Sequence, residues 1–152
     1  YDDLETSLEV ARLVTDVTHN HPEGIKGAQA TVMAIFLARQ GIATQSIRGR
    51  VQERFGYDLS RSVDQCRDEH IYNETCQICV PDSIICALDS DSYEDAVRSA
   101  VSLGGDADTL GAIAGSIAEA IHGIPDGLIA QAQPHLDDSF RPIIEEFYDR
   151  IG

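Results

Sequence analysis

Apolar residues recur three and four positions apart along nearly the whole chain, the spacing that gathers side chains on one face of an α-helix. Leu4, Leu8, Ala11 and Val14 predict an amphipathic helix over residues 4–17. Asn20 and His21 precede Pro22 at a first helical position, and Ile25, Ala28, Val32, Ile35 and Phe36 follow as a stripe that Gly41 ends. Thr44 or Ser46 opens a third helix with Ile47, Val51 and Phe55 four apart, closed by Gly56. Residues 56–80 lack clean periodicity, hold Tyr57, Tyr72 and three of the four cysteines, and read as a long, partly ordered connection. Pro81 starts a short helix through Leu88, and Asp91 or Ser92 starts another to Leu103, broken by Gly104-Gly105. A helix over 108–122 ends at Gly123, Pro125 restarts a short one, and Ser139 caps a last helix carrying Ile143, Ile144, Phe147 and Ile151. Strand-like alternation, hairpin dipeptides and internal repeats are missing, so the fold class is all-α, a single helical domain over residues 1–152.

Charge narrows the function classes. Eleven Lys and Arg against 26 Asp and Glu leave a formal charge of −15, which repels a phosphate backbone and makes non-specific nucleic-acid binding unfavourable. No run approaches the ~18 apolar residues that span a bilayer, and no basic-then-apolar leader opens the chain. The expectation is a soluble, cytoplasmic protein with no membrane partner. The chain starts at Tyr1 and its only methionine is Met33, which reads as a processed chain or a fragment.

The segment richest in chemistry is Gly104-Gly105-Asp106-Ala107-Asp108-Thr109, followed by the small residues Gly111, Ala112, Ala114 and Gly115. Two glycines admit backbone conformations closed to other residues, and small side chains let neighbouring helices approach closely. Such a helix belongs at the centre of the fold. Asp106, Asp108 and Thr109 can present three oxygens to one side, the donor type that hard divalent cations take. A helix N-terminus favours anions, so a cation must sit on the outer side of the carboxylates. Either aspartate also fits a plain N-cap, and the spacing leaves both readings open.

A second segment, Thr18-His19-Asn20-His21-Pro22-Glu23-Gly24, sets two imidazoles before a helix N-terminus, a place suited to a diphosphate; the same residues also serve simply to start the helix. Cys76 and Cys79 form one CxxC whose outer partners, Cys66 and Cys86, lack the spacing of a second zinc knuckle, so reduced thiols are the expectation.

Together these stretches resemble the ADP-ribosylglycohydrolase family, which includes the dinitrogenase-reductase-activating glycohydrolases and the ADP-ribosyl-acceptor hydrolases. The similarity covers Gly104 to Gly115, Thr18 to Ala28, Gly56-Tyr57-Asp58-Leu59, Val80-Pro81, Ser116 to Ala120 and Gly123-Ile124-Pro125, in order along the chain. It implies an all-α fold with a binuclear Mg²⁺ (or Mn²⁺) centre that hydrolyses the bond between ADP-ribose and an acceptor. By position it implies that Asp106, Asp108 and Thr109 are metal ligands and that His19 faces ADP-ribose. Acceptor identity is not legible.

Two departures qualify the expectation. Members of the family are nearly twice this length, and their first half supplies a Thr-Asp-Asp run and a catalytic acidic residue. Tyr1-Asp2-Asp3 echoes that run only superficially. The chain is therefore expected to match the C-terminal portion, to hold half of the metal centre, to need the N-terminal half as its partner and to be inactive alone. Loss of that half would expose apolar surface, first on the small-residue helix after Thr109. The second departure is Gln77-Ile78-Cys79, bulkier than its counterparts and expected as a loop at the ligand cleft. A non-catalytic, crystallin-like protein or an ADP-ribose-binding or interaction protein on the same fold is the alternative function.

Overall fold

The computed structural model describes residues 1–69 and 74–151, the side chain of Ile151 excepted. Among them are nine α-helices and no strand: α1 Leu4–Asp16, α2 Pro22–Arg39, α3 Thr44–Phe55, α4 Val63–Glu69, α5 Cys76–Asp89, α6 Tyr93–Ser102, α7 Ala107–His122, α8 Asp126–Ala132 and α9 Arg141–Ile151, with a 3-10 turn at Gln133–His135. The all-α expectation holds. No helix among the described residues is long and apolar enough to cross a membrane. Tyr72, assigned above to the connection, and the side chain of Ile151, assigned to the last stripe, lie outside the described residues.

Helix ends follow local chemistry. Asp3 caps α1 by accepting from the Thr6 N–H at 2.8 Å, so its carboxylate serves the helix start. Pro22 takes the first position of α2, and Ser92 caps α6 by accepting from Asp95 N–H at 3.1 Å. Ser139 does not cap α9 as expected; its N–H and hydroxyl both donate to Asp137, forming a side-chain turn one step earlier.

The expected connection over 56–80 is partly helical. The short α4 buries Cys66, and α5 begins at Cys76, five residues before Pro81. Pro81 removes the donor to the Gln77 carbonyl, but Gln77 is exposed, where solvent can hydrate that group. Ten consecutive residues, Cys79–Leu88, are buried, and this burial outweighs the missing bond. Gln77-Ile78-Cys79 is thus the first turn of a helix, not a loop.

Helix α7 packs on α5, α6 and α2, and α2 also meets α1, α3 and α5. The small residues explain the close fit: a Cβ on Gly115 would meet Tyr93 Oη and Val97 Cγ2 at 3.4 Å, and one on Gly111 would meet Val101 at 3.4 Å. Leu110, Ala114, Ile117 and Ala118 are fully buried, so exposure of α7 is not observed. Apolar exposure falls instead on the end of α1, at Val14 and Val17, and on α9. The deepest face of α2 is Gly27, Ala30, Met33, Ala34, Leu37 and Ala38, while the expected stripe is only half-buried. A helix enclosed on several sides is apolar nearly all round, so one stripe does not define its inner face.

Candidate metal and ligand site

The turn between α6 and α7 is made by Gly104 at φ +83° and Gly105 at φ +64°, both in the left-handed region that glycine occupies without steric penalty. Asp106 follows as the N-cap residue of α7, but its side chain makes no capping hydrogen bond. Instead it lies within hydrogen-bonding reach of Asp108. That contact holds the Asp108 carboxyl below its ordinary range, helped by the backbone N–H groups of Thr109 and Asp108. Asp106 is half-buried, and Asp108 and Thr109 are exposed at the helix tip.

Two carboxylates and a neighbouring hydroxyl are hard oxygen donors and fit a divalent cation bound from the solvent side. Among the described residues no three His, Cys, Asp or Glu side chains group at metal-binding distance, so the set supplies about half of a six-coordinate shell at most.

His19 lies in the exposed turn before α2. Its Nδ1 is 2.8 Å from the Thr18 hydroxyl, and the His21 Nδ1 accepts from the Glu23 N–H at 3.2 Å to cap the helix. Gly24 is required beneath this turn, because a Cβ there would stand 2.9 Å from the His19 carbonyl oxygen. Gly27 lies under equally close packing, with Val80 Cγ2 2.9 Å from where a Cβ would stand. What approaches these glycines is protein: His19 at Gly24, and Val80 and Cys76 at Gly27.

Cys76 and Val80 in the first turns of α5 lie against Gly27 of α2, the negative charge of Asp106 acts on Cys79, and helices α2, α5 and α7 are mutual neighbours. Gln77 and Pro81 of α5 border a polar hollow of about 490 Å³ with Lys26, Tyr57, Asp58 and Arg61. This hollow joins three segments singled out in the sequence, although it does not include the aspartates. The Lys26 ammonium sits 4.4 Å from the centre of the Tyr57 ring, and burial pushes the Tyr57 phenol up to about 12, keeping it a neutral donor.

The residues missed at the sequence level are Asp82 and Arg61. Asp82 is fully buried on α5 and paired with the Arg61 guanidinium. A charged residue inside an otherwise apolar buried run was the available signal. All four cysteines are free thiols, and Cys66, Cys79 and Cys86 are buried.

One family description, ADP-ribosylglycohydrolase, matches residues 1–152, the whole chain. The chain belongs to the ADP-ribosylglycohydrolase family. No individual curated protein matches it, so the family match carries the assignment. An ADP-ribosylglycohydrolase is a hydrolase of that general type, and the nine described helices agree with an all-α fold for the family.

Proposed function

We propose that this ADP-ribosylglycohydrolase cleaves the glycosidic bond between ADP-ribose and an acceptor in a divalent-metal-dependent reaction, with Mg²⁺ or Mn²⁺ held in part by Asp106, Asp108 and Thr109. The observation that supports the reading is the placement of Asp106, whose side chain makes no cap, beside exposed Asp108 and Thr109 at the double-glycine turn. When bound, the metal would polarise a water or ribose hydroxyl.

The chain's own residues supply binding and orientation. The His19 Nδ1 pairs with the Thr18 hydroxyl, which leaves Nε2 to meet a diphosphate or ribose oxygen. The N-terminus of α2, which begins three residues after His19, favours the diphosphate electrostatically. Asp106 and Asp108 would hold the metal, and the Asp108 carboxyl, held below its ordinary range, offers an ionised oxygen for it. Three oxygens leave half of the shell to water, substrate and a further polypeptide segment, so the isolated chain is a poor catalyst. A segment bringing further oxygen donors would complete the shell.

The test is a melting-temperature titration with ADP-ribose in Mg²⁺, followed by assay of ADP-ribose release. Stabilisation that requires both ligand and metal, and that His19→Ala and Asp108→Asn each remove, is expected. Release by the isolated chain is expected to stay at background. No response to ADP-ribose in any metal would favour the non-catalytic interaction protein.

A further inference from the structure

Helix α9 carries a stripe that the rest of the described protein does not cover. Phe140, Ile143 and Phe147 are 54%, 63% and 56% exposed, and Ile144 and Tyr148 on the same stripe are 37% and 47% exposed. Its tie to the body is the Tyr148 hydroxyl donating to Glu119 of α7 at 2.8 Å. Behind it, between α6, α8 and α9, lies a hollow of about 600 Å³ walled by Val97, Leu128, Ile129 and Ile144. An eleven-residue helix is roughly 16 Å long, so stripe and hollow together offer a seat for two to three turns of another helix.

Charge decides what fits that seat. From Asp137 to Arg150 the chain sets five carboxylates against two guanidinium groups. Both arginines are already paired, Arg141 with Asp138 and Arg150 with Glu146. Glu145 and Glu146 fall on the two sides of the apolar stripe at helical spacing. This acidic rim repels anionic lipid, nucleic acid and a second copy of a chain that itself carries −15. We propose that α9 and the hollow behind it form a docking site for a basic amphipathic helix of a partner polypeptide, its apolar stripe on Phe140, Ile143 and Phe147 and its Lys or Arg flanks on the acidic rim.

The experiment uses the whole chain and two synthetic 18-residue helical peptides with the same leucine stripe, one flanked by lysine and one by glutamate. Binding is read by fluorescence anisotropy. The lysine peptide should bind and the glutamate peptide should not. The double variant Ile143→Ser/Phe147→Ser, which leaves net charge unchanged at exposed positions, should weaken the lysine peptide by about tenfold or more. Neutralising Glu145→Gln/Glu146→Gln should weaken it severalfold at low salt and little at about 0.5 M. The same neutralisation on exposed Glu53→Gln/Asp68→Asn should do nothing at either salt. Equal binding by the Ile143→Ser/Phe147→Ser variant, or equal loss from the remote pair, overturns the site. So do peptide-free dimers that this variant dissolves, which would make a second copy the occupant, and binding to anionic vesicles through the same residues.

Discussion

Burial pushes the thiols of Cys66, Cys79 and Cys86 up to about 11, 11 and 12, and near pH 8 all three are protonated and enclosed. A thiol reagent at that pH should modify half-buried Cys76 first and reach the others only on unfolding, which peptide mapping after timed exposure would reveal. The Tyr57 phenol moves the same way, to about 12. Each of these groups holds its proton more tightly in the folded protein than in the unfolded chain. The linked stability is therefore complete below about pH 9 and is lost as pH rises toward 12. Melting temperature should fall steeply across that alkaline window and a flat profile would refute it. Arg61→Ala removes the cation paired with buried Asp82 and should lower stability by about 3 kcal/mol in denaturant unfolding. Asp106, Asp108 and the two glycines were legible in the sequence because their relation is local. The Arg61–Asp82 pair joins residues 21 apart, which periodicity cannot connect.

Local packing also sets how each helix answers to substitution. Gly49 lies within α3 with nothing near its missing Cβ, so Gly49→Ala should stabilise by about 0.5–1 kcal/mol through helix propensity alone. Gly24→Ala meets a backbone oxygen at 2.9 Å, which cannot move aside without disturbing the turn. It should destabilise by about 1–2 kcal/mol and, by displacing His19, weaken ADP-ribose binding as well. Comparing melts and ligand titrations of the two variants separates these effects. Helices with ordinary starts, such as α2 at Pro22 and α6 at Ser92, were readable from the sequence. The start of α5 was not, because a proline in its sixth position imitates a first turn while the burial that tolerates it is tertiary. The same holds for α4, whose seven residues are too few to show a period.

Stability is distributed unevenly over the whole molecule. Helices α5 and α7 carry the fully buried Ile84, Ile85, Leu110 and Ile117, whereas α8 and α9 have no buried side chain among the described residues. Amide hydrogen exchange should proceed first in α8 and α9 and last in α5 and α7. Protection of α9 equal to that of α7 would mean that its apolar stripe is covered. Centrality of α7 was foreseeable from its small residues, but which helix is left exposed depends on contacts between distant segments and is visible only in the assembled fold. The metal reading also belongs to this scale, since the helix that carries Asp106 and Asp108 at its start is held by packing on α5, α6 and α2. Calorimetric titration of the intact chain with Mg²⁺ and Mn²⁺ tests it most directly. We expect saturable binding that Asp106→Asn and Asp108→Asn each abolish while the melts stay close to wild type. Heat no larger than dilution in the wild type, or affinity unchanged in both variants, would contradict the assignment of this turn to a divalent cation.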